Sequence, residues 1–139
     1  MNAKLIEYFN KQPRLATLST ADKSGKVDVA ILGSPRMVDE KTVVLTLRNN
    51  RTFANLLENP HAVFAIMEPG KTHPEWKGVR VYLKMIEYQT SGEKLETLRA
   101  QALPRVGEAI AKLMHAAVTL EIYEVRPMID NGQGWEASI

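Results

Sequence analysis

The sequence predicts a mainly β domain of the α+β class, an antiparallel sheet or barrel with helices packed at its ends. Two observations carry this. Strand-like runs follow one another mostly across short turns, whereas a parallel sheet needs a helical crossover between most of its strands. The chain has 139 residues, 45% hydrophobic and 24% charged, the balance of one globular domain. A chain of that length buries about two-thirds of its unfolded surface, enough for a core without covalent staples.

Leu5, Ile6, Tyr8 and Phe9 predict a short amphipathic helix that ends near Gln12, before Pro13. Arg14 to Thr20 alternates and is rich in Leu and Thr, as a strand is. Ala21 to Lys26 turns the chain at Gly25, and Val27 to Leu32 pairs back as a hairpin, interrupted by Gly33-Ser34-Pro35. Thr42 to Leu47 is a β-branched third strand. Asn50 then caps a short helix with Phe53, Leu56 and Leu57 on one face, stopped by Asn59-Pro60. His61 to Met67 is nearly all apolar, which predicts a strand buried on both faces.

Glu68 to Lys77 is a loop, and Gly78 to Gln89 a long strand with Val79, Val81, Leu83 and Met85 on one face. Thr90 and Glu93 have the spacing of a capping box ahead of the helical face Leu95, Leu98 and Ala102. Pro104 predicts a kink there, or the first residue of a second helix carrying Val106, Ile110, Leu113 and Met114. Val118 to Val125 is the last strand, and Arg126 to Ile139 an irregular tail. The expected order is helix, three strands, short helix, two strands, a helical pair and a strand.

Composition narrows the function. The chain has no cysteine, which removes disulfides, thiolate metal sites, iron–sulfur clusters and a cysteine nucleophile. A net charge of +2 is too small to indicate a nucleic-acid binder. No apolar run is long enough to span a membrane, and the first ten residues have no signal-peptide core. The expectation is a soluble cytoplasmic protein. No GxxxxGK or strand-linked GxGxxG occurs. His61, His73 and His115 lack metal-ligand spacing, so no metal is expected.

Two motifs carry chemistry. Arg48-Asn49-Asn50-Arg51-Thr52 lies between a strand and a helix, where unpaired backbone N–H groups and the helix dipole favour an anion. Arg51 adds a bidentate donor and Thr52 a hydroxyl, so Asn50, Arg51 and Thr52 are candidates for a phosphate site. The same pentapeptide also reads as an ordinary polar turn with a capping asparagine, and pattern alone does not separate the two. The second motif, Gly33-Ser34-Pro35-Arg36, bends a strand and bares backbone groups to which a flat ligand has access. Its alternative is a strand end with a proline-initiated turn.

The stretch PRLATLSTADKSGKVDVAILGSPRMVDEKTVVLTLRNNRTFANLLENPHAVFAIMEPG resembles the pyridoxamine 5′-phosphate oxidase-like family of FMN-binding split barrels, and most of all its small bacterial and archaeal members. The likeness runs from Pro13 to about Gln89. It implies a six-stranded antiparallel split β-barrel over residues 1–139, with FMN as cofactor, in a homodimer that places FMN at the two-fold interface. The turn before the short helix holds the FMN phosphate in that family, commonly as Ser-Arg-Lys, and here reads Asn50-Arg51-Thr52. The flavin-facing run of the second strand corresponds to Ile31 to Arg36, which makes Gly33, Ser34, Pro35 and Arg36 candidate flavin contacts. Ile31 stands where the family has a basic residue, which leaves more of the phosphate to Arg51, Thr52 and Arg80. Thr46 joins the candidates on the neighbouring strand. The stretch Lys77 to Lys84, with Lys77 and Arg80, corresponds to the segment that reaches the flavin across the dimer. Trp135 is placed either to cover the ring or to pack as a tail aromatic.

The tail MIDNGQGWEASI lacks the Arg and His of true pyridoxamine-phosphate oxidases, so that reaction is not expected. The leading expectation is an FMN flavoprotein passing hydride or electrons between a nicotinamide or other donor and a small substrate. The alternatives are a non-enzymatic flavin store or sensor, and the same barrel holding a deazaflavin or haem.

Overall fold

The computed structural model describes residues 3–139. The chain runs α1 (Ala3–Asn10), β1 (Leu15–Ala21), β2 (Val27–Ile31), β3 (Arg36–Met37), β4 (Thr42–Leu47), α2 (Arg51–Glu58), β5 (His61–Glu68), β6 (Lys77–Gln89), α3 (Glu93–Leu113) and β7 (Ala116–Pro127). Short 3-10 turns occupy His73–Glu75 and Trp135–Ser138. All strand pairs are antiparallel, in the order β2-β1-β5-β6-β7-β4-β3. The two ends of this sheet are successive in the chain, joined by the bend at Gly33-Ser34-Pro35, and the result is a split barrel. Seven strands replace the expected six, because two residues beyond the bend, Arg36 and Met37, pair with Val44 and Val43.

The barrel interior is filled by one face of each strand, as the alternating pleat requires. Leu18, Phe64, Val79, Val81, Leu83, Val43, Leu45, Val118 and Leu120 are all buried, with Phe9 of α1 closing one end and Phe53 and Leu56 of α2 also in the cluster. Asn55 of α2 donates to the Thr20 hydroxyl at 3.0 Å in the same buried layer and fixes the helix on β1. The outer face of β5 is only half covered, so the expectation of burial on both faces does not hold in this chain. Leu57 is likewise exposed and leaves the apolar face of α2 to Phe53 and Leu56.

Several boundaries differ for local reasons. The expected Thr90–Glu93 capping box is absent: α3 begins at Glu93, and Gly92 occupies the cap position with φ of 104° and no side-chain cap bond. Thr90 lies two residues before the cap position. Pro104 sits inside α3 without breaking it, and the break falls at Gly107 (φ 83°, ψ 166°). The tail is less irregular than expected, since Trp135 and Ile139 pack against the core. Tyr8 donates to the Glu68 carboxylate at 2.7 Å and ties α1 to β5; burial, then this acidic partner, push its phenol well above its ordinary pKa.

Candidate functional site

The bend after β2 is held by side chains that stand in for missing ladder bonds. The Ser34 hydroxyl donates to the Thr46 carbonyl at 3.0 Å and accepts from the Thr46 amide at 3.2 Å, clipping the bend to β4. Asn10, the last residue of α1, donates to the Met37 carbonyl at 2.8 Å and accepts from its amide at 2.9 Å. Arg14 reaches three carbonyls: Phe9 at 2.6 Å, Pro35 at 2.9 Å and Gly33 at 3.2 Å. Its guanidinium lies 5.5 Å from the Phe9 ring centroid and 5.0 Å from that of Phe64, and burial lowers its pKa. Proline brings no amide of its own to this bend, which explains the dependence on side-chain donors.

Beside the bend stands the N-terminus of α2. Asn50 caps it as expected, accepting from the Phe53 amide at 3.3 Å. The amides of Arg51 and Thr52 belong to the first turn, which a helix leaves without intrahelical partners. Between bend and helix opens a cleft of about 440 Å³, lined by Ile31 to Ser34, Thr46, Arg48 and Asn50, and on its far side by Arg105, Val106, Ile110 and Met114. A second bay of about 820 Å³ continues past Ser34 to Pro35, Arg36, Gln12 and Gln101, and shares Gly33, Ser34, Thr46, Arg105 and Met114 with the first. Both are in the size range of small-molecule sites.

Neither bay is lined by an aspartate or glutamate. Arg36, Arg48 and Arg105 line the bays and Arg51 follows Asn50 in the chain, and none of the four has a carboxylate partner among the described residues. The arginines elsewhere are engaged: Arg14 on carbonyls, Arg99 on Glu96, and Arg80 and Arg126 on Asp130. Guanidinium groups without acidic partners, close to a helix N-terminus, are chemistry that favours an anion.

The expected residues divide in two. Gly33, Ser34, Thr46 and Asn50 line the smaller bay, with Pro35 and Arg36 in the larger. Arg51 is exposed next to Asn50, whereas Thr52 is only 3% exposed, and neither is among the residues lining the two bays. Lys77, Arg80 and Trp135 line neither bay. Lys77 is paired opposite Glu68 at the start of β6. Arg80 donates to the Pro127 carbonyl at 3.1 Å and to Asp130 at 3.3 Å. The Asp130 carboxyl is held below its ordinary range by the Gly132 amide and then by Arg126. Sequence reasoning missed Asn10 and Arg14, which build the wall, and Arg105, which faces both bays. Arg105 carried one signal, its place directly after Pro104.

The family model for pyridoxamine 5′-phosphate oxidase matches residues 3–128. The chain belongs to the pyridoxamine 5′-phosphate oxidase family. An uncharacterized protein from Methanocaldococcus jannaschii is 29% identical over 135 residues, 94% of this chain and 87% of that one. The crystal structure of an FMN-binding protein from Syntrophomonas wolfei superposes with a TM-score of 0.74 at 20% identity, over 92% of this chain and 84% of that one. HutZ, the haem storage protein of Vibrio cholerae, superposes with a TM-score of 0.65 at 19% identity, over 88% and 92%. These likenesses show the split-barrel fold of the pyridoxamine 5′-phosphate oxidase family in this chain.

Proposed function

We propose that the cleft binds FMN and that the protein is an FMN-dependent oxidoreductase acting on a small substrate with a nicotinamide or other electron donor. The observation that carries this is the convergence of Arg48 and Arg105 on the smaller bay and of Arg36 and Arg105 on the larger one, neither with an acidic lining residue, while Arg51 follows the bay-lining Asn50 in the chain. In this reading the phosphate docks at the start of α2, on Arg51, Asn50 and the amides of Arg51 and Thr52. The ring lies along Gly33 to Arg36, against the stretch that Ser34 clips to Thr46. Bound FMN supplies hydride or electron transfer. The chain's own part is to grip the anion, hold the bend rigid through Asn10, Arg14 and Ser34, and shield the ring from water with Val106, Ile110 and Met114.

A homodimer in the cytoplasm completes the proposal. Val27, Val29 and Ile31, at 84, 63 and 82% exposure, form an apolar stripe on the edge strand β2. Such a stripe supports cover by a second copy. That copy would also bring a set of Lys77 and Arg80 that this chain does not bring to its own cleft.

Likeness to a haem storage protein favours haem as the second reading. Against it, none of His61, His73 and His115 lines either bay. Mass spectrometry and absorption of the small molecule released from purified protein decide between them. FMN, with a flavin band in the blue, is the expected result. A Soret band that disappears on replacing one histidine, or a released deazaflavin, would overturn the FMN assignment.

A further inference from the structure

The far wall of the cleft is α3, and the barrel holds it lightly. Along its length only Leu95, Ala102 and Ala111 are buried, while Leu103, Ile110 and Leu113 are exposed. It is anchored at its ends: Lys94 donates to the Thr119 hydroxyl at 2.7 Å, and just past the helix the His115 amide donates to the Leu47 carbonyl at 2.7 Å. Between these anchors the helix is broken at Gly107, whose φ of 83° suits glycine and whose missing Cβ would meet nothing within 4 Å. Packing therefore does not demand glycine here, and the backbone conformation does. The Arg99 side chain spans the break. Arg99 donates from Nε and Nη2 to the Met114 carbonyl at 3.0 and 2.5 Å, and is braced by Glu96 at 2.6 Å. Gln101, Ala102 and Arg105 before the break face the larger bay, and Ile110 beyond it faces the smaller one.

We propose that the α3 segment between Arg99 and Met114 is a hinged cover of the cleft: Gly107 is its hinge, the Arg99–Met114 clasp sets its closed position, and Arg105 is the group through which a bound anion draws it shut. Sparse burial is the mark of segments that open locally below the global unfolding free energy. Arg105 is the one charged residue common to both bays and has no carboxylate partner, so an anion in either bay gains a contact only when the cover is down. The ligand-closing step rests on the FMN reading, whereas hinge and clasp do not.

Hydrogen exchange of the 139-residue chain without ligand tests hinge and clasp. In Arg99→Ala, amides of residues 108–114 should exchange at least tenfold faster than in the wild type, with β5 and β6 unchanged. In Gly107→Ala, which favours a continuous helix, the amides of residues 105–110 should exchange more slowly. Equal exchange in both variants and the wild type overturns the cover. With FMN as the probe, Arg99→Ala and Arg105→Ala should release flavin at least fivefold faster than the wild type, and Arg105→Lys should recover part of the loss. Unchanged release in both alanine variants overturns the closing role of Arg105. Wild-type protein that takes up no flavin contradicts the FMN reading instead, and the ligand-free exchange then supports or removes the cover by itself.

Discussion

Replacing Gly78 with alanine is expected to destabilise the protein by about 3–5 kcal/mol, at the extreme end of single substitutions. Gly78 lies in β6 opposite Met67 of β5, with φ of 134°, where an L side chain is strained. An added Cβ would stand 2.0 Å from the Ile66 carbonyl oxygen and 2.9 Å from the Ile66 carbonyl carbon and the Met67 Cα. All three are backbone atoms of a paired strand, so no rotamer change relieves the clash. β5 and β6 must part where Ile66 and Val79, both buried, meet across the ladder. Urea unfolding followed by circular dichroism reads the effect as a lower midpoint at similar slope. A loss below about 1 kcal/mol, an ordinary value for a point substitution, would show that the strands do not approach this closely.

Arg51→Ala should weaken FMN binding by about 1.5–3 kcal/mol, the scale of a hydrogen bond to a charged group, which is about 10- to 150-fold in Kd. Arg51 is exposed and takes no part in the core, so the urea midpoint should hardly move. This separates it from Asn50→Ala, which also removes the cap bond to Phe53 and costs about 1 kcal/mol of stability. Flavin fluorescence quenching on titration measures the change. An unchanged Kd in a folded Arg51→Ala protein refutes the phosphate corner.

Much of the barrel was legible in the sequence, for identifiable reasons. Thr42 to Leu47 is β-branched and ends at a polar turn, and it forms a strand with those same bounds. Asn50, directly before the helix, caps it as its chemistry predicts. β3 was not legible, because two residues show no periodicity and its pairing depends on Asn10 from another element. Pro104 predicts a kink or the start of a new helix, yet the helix continues through it and breaks three residues later, at a glycine of positive φ. At the site, Gly33 to Arg36 and Asn50 come together because Ser34 clips the bend to β4, next to the turn that leads into α2. Arg14 escaped notice because the carbonyls it binds at the bend are 19 and 21 residues away, beyond any local pattern. Lys77, Arg80 and Trp135 entered through the resemblance alone. Trp135 packs against the core, and Lys77 and Arg80 line neither bay of this chain.

The central claim is that a phosphate anchors the cofactor at the start of α2. Parallel titrations of the ligand-free protein with FMN and with riboflavin, which carries the same ring without the phosphate, test it most directly. Two charge-assisted contacts at that corner should make FMN at least about a hundredfold tighter than riboflavin. Equal affinities, or a riboflavin affinity above that of FMN, would contradict the account.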